Sequence, residues 1–457
     1  MASEVFYMND RANALQESLT SKAVKLFRDA GLGDLFKPGD TVGVKIHMGE
    51  YGSTGNLRPQ LVRAIVEEIR RLKGKPVVVD CTTMPFNEYT SRGTAKDMLW
   101  TATRHGLTEE TLTCPIWVGD GEYGFDEVKV EVPHGTFLKH SYMGAKLLDL
   151  DAMIAVTHFK GHPMGVFGGA LKNIGIGCGS KKGKICTHLL NHPQYGRLVW
   201  TVNPQAAEAM TQGPSPTLAE RLERICPFGA MAFREGGFET DVHKCHQCVS
   251  CFSVAMFNGL VAPPPEIMLL WALTIPDAFS AYVNAIGKDK VGYLTYGIDV
   301  SPWCDCVNYS DRSLVPNLGV FASKDPVAID MACLEMAESF VATPGSKAED
   351  LGFGDPGTER FTNLSSMAQV SQWAQIHSAI YNGLGTSEYE LVVSQPGPET
   401  DYWPEMYSVE RPWSVVNRNG IRGGNWELDL PYTFDEARLS LALASLKPKG
   451  KAGEREL

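Results

Sequence analysis

Two short β-branched runs, Thr41 to Ile46 (TVGVKI) and Pro76 to Cys81 (PVVVDC), have the pattern of strands buried on both faces of a parallel sheet. Between them Leu61, Ile65, Ile69 and Leu72 recur at helical spacing, with Glu67, Glu68, Arg70 and Arg71 largely off that stripe. Pro59 suits the first turn of this helix and Gly74 its end. A helix over Thr94 to His105 follows, and Met153 to Thr157 (MIAVT) predicts a further strand. Strand and helix in this alternation predict an α/β fold, a three-layer sheet core.

The alternation stops at Thr211 to Thr217 (TQGPSPT) and resumes only after Ala262-Pro263-Pro264-Pro265. Val291 to Tyr296, Gly319 to Phe321 and a helix from Pro326 to about Phe340 then read as more α/β. From about Gly383 the chain is rich in Pro, Gly, Trp and Tyr without a clear period. The expected division is 1–210 for the first part of the core, 211–262 for an inserted module, 263–382 for the second part of the core and 383–457 for a C-terminal extension. That extension could wrap the core or join a second subunit in a homo-oligomer.

The 457 residues allow roughly three domains, and 44% apolar with 21% charged positions excludes a largely disordered or fibrous chain. A net charge of −11 argues against nucleic acid or an anionic membrane as the main partner. Met1-Ala2-Ser3-Glu4 is not a charged segment leading into an apolar run, and the longest aliphatic stretch, Ile267 to Leu273, is far short of the ~20 residues of a membrane span. The expectation is a cytoplasmic protein with no membrane segment. Its 11 cysteines are an odd number, and three of them crowd together, which points to metal chemistry rather than disulfides.

Cys245-x-x-Cys248-x-x-Cys251 has the spacing by which thiolates converge on one cubane. The fourth cysteine of a ferredoxin run is missing, since Ala255 and Met256 stand at its place. Upstream, Cys226-Pro227 looks like the tail of another ferredoxin half, and in two-cluster ferredoxins the Cys-Pro of one run serves the other cluster. Cys226, Cys245, Cys248 and Cys251 are therefore the expected ligands of one [4Fe-4S] cluster in a degenerate ferredoxin-like module. Four thiolates also suit zinc, which stays open as the alternative. His243 and His246 flank these ligands and are expected at the surface.

Residues 158–188 form the second concentration of chemistry, with glycines and lysines crowding around His158, His162 and His188 just past a predicted strand. Carboxyl ends of strands are where open α/β sheets bind ligands. The glycines suggest a loop whose backbone amides approach an anion, and the lysines supply charge. Gly168, Gly169, Lys172, Asn173, Lys181, Lys182 and Lys184 are the candidate residues for holding it, and His158, His162, Lys172 and His188 the candidate catalytic ones. The stretch completes neither a Walker loop nor a dinucleotide fingerprint. Cys304-x-Cys306 is a further candidate, because thiols two apart in an extended chain face the same side.

His158-Phe159-Lys160-Gly161-His162 with Gly168-Gly169-Ala170-Leu171-Lys172-Asn173-Ile174-Gly175 resembles the signature of the uncharacterised iron-sulfur centre proteins, the domain of unknown function 362 family. Val44-Lys45-Ile46-His47, Cys304-Asp305-Cys306 and Ser323-Lys324-Asp325-Pro326-Val327-Ala328-Ile329-Asp330 extend the resemblance over roughly residues 40 to 345. It implies a ferredoxin module embedded in or appended to an α/β core. The loss of half the usual cysteines departs from a two-cluster relay. The intervals from His162 to Lys172 and from Lys172 to His188 are also similar to the nickel-pincer lactate racemases. That likeness implies Lys172 as cofactor anchor, His162 as acid/base and His188 as nickel ligand.

The resulting expectation is an iron-sulfur oxidoreductase acting on a small anionic substrate, with one [4Fe-4S] cluster supplying electrons singly and a partner such as ferredoxin. A second cofactor, a flavin or a nickel pincer, would accompany a catalytic pocket. The alternatives are a nickel-pincer-type hydroxy-acid enzyme and a non-catalytic electron-transfer or metallocentre-assembly protein.

Overall fold

The structure is a computed structural model that describes residues 2–84, 90–162, 164–190, 192, 201–234, 237–241, 243–246, 248, 250–251, 261–262, 265–362, 364, 370–397, 435–438 and 440. The chain forms two compact units, Met1–Met406 and Tyr407–Leu457. The first unit holds the strands β1 (Ser3–Met8), β2 (Thr41–Lys45), β3 (Lys75–Asp80), β4 (Ile116–Val118), β5 (Ala152–His158), β6 (Val291–Gly297), β7 (Gly319–Ser323) and β8 (Tyr389–Val393). These make one 8-stranded sheet in the order β8-β1-β7-β6-β5-β2-β3-β4. Neighbouring pairs are parallel except at β7, which runs against both β1 and β6.

Helices cover both faces, as the buried alternation along the central strands requires. Val42, Val44, Val78, Ile154 and Val156 face one core with α1 (Leu19–Asp29) and α2 (Pro59–Arg71). Val77, Val79, Met153 and Ala155 face the other, with α4 (Ala170–Gly175), α6 (Pro265–Ile286), α7 (Pro326–Ser339) and α8 (Ala374–Tyr381). Pro59 opens α2, and Thr94 caps α3 (Ala95–Arg104) through a reciprocal bond with Asp97. Helix α5 (Lys181–Thr187) begins at Ser180, whose hydroxyl accepts from Gly183 N–H.

Three elements differ from the sequence reading. The aliphatic stretch Ile267 to Leu273 lies inside α6, which runs for 22 residues despite Pro276. By length and composition Glu266–Ile286 reaches what a membrane span needs, but 78% of its apolar window is packed inside the fold, so the expectation of a stretch far too short is corrected. Residues 389–393 are not irregular wrapping, because they add β8 beside β1 in parallel register from Ser3↔Tyr389 to Tyr7↔Val393. The antiparallel ribbon Glu127–Glu131/His140–Gly144 was not predicted, since its burial is too partial to leave a clear alternation.

Candidate functional site

Strands β2, β3 and β5 are neighbours, and all three end at one place. Chain order runs from β2 to β3 and β4 on one side and from β5 to β6 on the other, so a crevice opens where the order reverses. At that crevice Lys45 Nζ lies 3.0 Å from Asp80 Oδ1, 2.8 Å from the Ile46 carbonyl oxygen and 3.0 Å from Asn173 Oδ1. Asp80 also accepts from Met48 N–H at 3.2 Å and Cys81 N–H at 2.9 Å, so the buried pair is fully bonded.

Beyond His158 the chain folds into a hairpin, Lys160–His162 against Val166–Gly168, and then into α4. The cap of α4 comes from a distant residue, Asp330 on α7, which accepts from Ala170 N–H at 2.7 Å and Leu171 N–H at 3.0 Å. A Cβ on Gly169 would lie 2.3 Å from Asp330 Oδ1, and one on Gly177 would lie 2.3 Å from Lys45 Nζ. These glycines therefore make room for close packing of charged side chains. Gly168, Gly169 and Gly177 are themselves among the residues that line the pocket.

The pocket so formed is lined by Lys45, Asp80, Arg92, Lys172, Asn173 and Lys184, and by His47, His158, Lys160, His162, His188 and Cys306 among others. Three of its cations are matched by buried acids, Lys45 by Asp80, Arg92 by Glu50 at 3.1 Å and Lys160 by Asp305 at 3.1 Å. Lys172 and Lys184 have no carboxylate at salt-bridge distance among the described residues. The pocket thus carries an excess of positive charge, which favours a small anion.

The histidines differ in what they offer. His158 Nδ1 faces Asp305 at 2.9 Å and its Nε2 faces the Ile298 carbonyl at 2.8 Å, so both nitrogens are engaged. Against the burial that would raise it, His158 and Lys160 hold the Asp305 carboxyl well below the usual range. His162 Nδ1 accepts from Gly165 N–H at 2.7 Å and Met164 N–H at 3.1 Å, which places the proton of the neutral ring on Nε2. His188 Nδ1 lies 2.7 Å from the Lys184 carbonyl, which leaves its Nε2 as a lone pair. Burial, aided by Lys172, lowers the His162 pKa to about 4. Burial lowers that of His188 to about 4 against the pull of the Lys184 carbonyl.

Cys304 and Cys306 sit on a β-turn closed by Val307 N–H to the Cys304 carbonyl at 3.1 Å, not on the extended chain the spacing suggested. Their sulfurs and a nitrogen of His162 lie within 4.8 Å of one another, close enough that the group could bind a metal. Lys172 Nζ is 3.8 Å from Cys304 Sγ, and His162 Nε2 is 3.5 Å from Cys306 Sγ. Burial opposes a charge on Cys304, but Cys306, Lys172 and His162 together pull its thiol well below the ordinary value.

Of the predicted residues, Gly168, Gly169, Lys172, Asn173, Lys184 and the three histidines come together in this pocket. Lys181 and Lys182 are not among its lining residues. Lys181 donates to the Thr83 carbonyl, and Lys182 is half-exposed, its Nζ 3.8 Å from the centroid of the Tyr142 ring and 3.7 Å from Glu127. Asp80 and Arg92 were missed as site residues, and Asp330 was seen only as the end of a motif, because the role of each comes from a partner far along the chain. The four module cysteines, Cys226, Cys245, Cys248 and Cys251, line one small cavity with Phe228 and His246. Phe228 and the exposed His246 stack with ring centroids 4.1 Å apart. Residues 252–260, where the fourth ferredoxin cysteine is missing, lie outside the described residues.

No curated protein matches the chain. The structure is similar to the lactate racemase apoprotein from Thermoanaerobacterium thermosaccharolyticum, with 12% identity and TM-score 0.37, over 74% of this chain and 58% of that one. It is also similar to a protein from Thermotoga maritima, with 12% identity and TM-score 0.29, over 64% of this chain and 51% of that one. The chain thus spans little more than half the length of either. Residues 42–335 match the family described as Domain of unknown function (DUF362), and the protein belongs to that family.

Proposed function

We propose that the protein is an iron-sulfur oxidoreductase that acts on a small anionic substrate in the pocket at the ends of β2, β3 and β5. The observation that carries this reading is the convergence on one cavity of Cys226 with Cys245, Cys248 and Cys251 from further along the chain. A single tetrahedral ion with bonds of about 2.3 Å needs its sulfurs about 3.8 Å apart. The cluster is favoured over such an ion by the spacing, since three cysteines at three-residue intervals with a Cys-Pro upstream follow a ferredoxin run rather than the paired hooks of a zinc site. When bound, a [4Fe-4S] cluster supplies electrons one at a time. Lys172 and Lys184 neutralise the substrate anion, and His162 Nε2–H is placed to donate a hydrogen bond to it. His158 is committed to Asp305 and Ile298 and takes a positioning role.

A second reading is supported by His188. Its Nδ1–H is fixed on a backbone carbonyl and its Nε2 lone pair is left over in a pocket that also holds Lys172, which suits a nickel-pincer-type hydroxy-acid enzyme. A cytoplasmic location and a redox partner such as ferredoxin go with the first reading.

Anaerobic purification followed by iron, sulfide and nickel analysis tests both. Four irons and four sulfides per chain, reduced to three irons or none in Cys226→Ala, support the cluster. A colourless protein carrying zinc overturns it, and stoichiometric nickel retained through Lys172 favours the second reading.

A further inference from the structure

Cys306 lines the pocket, and Cys304, 1% exposed, lies directly behind it. The turn closed between Cys304 and Val307 keeps the two residues closer than the ~7 Å that two extended residues would span, within the range a disulfide needs. The sulfurs and the His162 nitrogen share a space of 4.8 Å. Around them are a lysine ammonium on Cys304 and an imidazole N–H facing Cys306. His162 presents a proton rather than a lone pair here, because Met164 and Gly165 hold its other nitrogen as an acceptor. That is a setting for a stabilised thiolate more than for a three-ligand ion.

We propose that Cys304 and Cys306 form a redox-active dithiol that reduces a small carboxylate-bearing disulfide drawn into the cationic pocket, and that the oxidised form is a disulfide across this turn. The inference rests on the pocket as a site for small anions, and it is independent of the cluster.

The chemistry balances without a further reactant. At rest Lys172 favours the charge on Cys304, and the bond to Cys304 together with burial keeps the proton on Cys306, whose thiol is raised well above its ordinary value. When substrate enters, that proton crosses to Cys304 and Cys306 attacks one sulfur of the substrate R–S–S–R, breaking that bond and releasing R–S⁻. The proton then leaves Cys304 for R–S⁻, with His162 adjacent, giving R–SH. The Cys304 thiolate attacks Cys306 Sγ in the mixed disulfide, forms the Cys304–Cys306 bond and expels the second R–S⁻. Two electrons pass from the cysteines to the substrate, and a dithiol reductant such as dithiothreitol reverses the change. The fully buried Cys304 resolves and the half-buried Cys306 engages substrate, an order set by which of them meets the pocket.

The test uses the full chain, reduced, desalted and kept under argon. It is exposed to glutathione disulfide, which carries carboxylates, or to cystamine, which is cationic, and then alkylated and peptide-mapped. The expected result is a disulfide joining Cys304 and Cys306, forming at least tenfold faster with glutathione disulfide, with the preference collapsing in Lys172→Ala. Cys304→Ser should trap a glutathione adduct on Cys306, and Cys306→Ser should trap none. Two alkylated thiols after exposure, equal rates with the two probes, or zinc or iron held by these cysteines would each overturn the proposal. The probe comparison needs only the unmodified protein, so a variant that fails to fold does not remove the test. Iron and sulfide content of the same samples reports separately on the cluster.

Discussion

His162 and His188 line the same pocket in opposite tautomers. Backbone amides hold Nδ1 of the first as an acceptor, and a backbone carbonyl holds Nδ1 of the second as a donor. One ring therefore offers a proton and the other a lone pair, a division of labour that two histidines 26 positions apart acquire only through their main-chain partners. His188→Ala should lose nickel or zinc binding at the pocket measured by calorimetry, whereas His162→Ala should retain most of it. Equal loss in both would remove the assignment.

The same burial makes the fold sensitive to acid. His162 and His188 have pKa values lowered to about 4, and burial together with Arg92 lowers that of His47 to about 3. A histidine depressed below its unfolded value of about 6.5 contributes stability that is complete above pH ~6.5 and lost as pH falls toward ~4, on the order of 3 kcal/mol for each. Urea midpoints should drop steeply between pH 6.5 and 4 and less so in a His162→Gln, His188→Gln double variant. A midpoint independent of pH in that window would contradict this.

Asp330 sits on α7 but serves α4. Asp330→Ala should leave two buried amides without partners, lower stability by about 1–2 kcal/mol and weaken anion binding, because Lys172 rides on α4. Gly169→Ala should act in the same direction, since its methyl would strike the Asp330 carboxylate. Denaturation and a carboxylate-binding titration on both variants provide the check.

Lys45 and Asp80 are both essentially buried. Removing one partner should cost about 3–5 kcal/mol by stranding a charge, and Lys45→Met with Asp80→Leu should recover part of that loss. A double variant no better than the worse single variant would mean that the other bonds of Asp80, not the pair, carry the effect.

Asp277 separates stability from function. It accepts from the amides of Thr136, Phe137 and Leu138 and from Asn382 Nδ2, and it is not among the residues that line the pocket. Asp277→Ala should lower the melting temperature while leaving anion binding and metal content unchanged.

Much of this protein could be read along the chain, because it depends on local pattern. The buried strands β2, β3 and β5 declare themselves by β-branched runs, α2 by Pro59 in its first turn, and α3 and α7 by the capping residues Thr94 and Asp325. Lys172, His162 and His188 were visible because they crowd into one stretch after a strand. Tertiary structure decided the rest, since it concerns partners distant in sequence. Packing turned the apolar stretch at Ile267 into a 22-residue core helix, and the glycines of the loop into gaps for Asp330 and Lys45. It sent Lys182 away from the pocket, bent Cys304 and Cys306 into a turn and gave each histidine its tautomer. Sequence periodicity reports which face of an element is buried, whereas charge state and reactivity depend on what lies a few ångströms away once the strands have met.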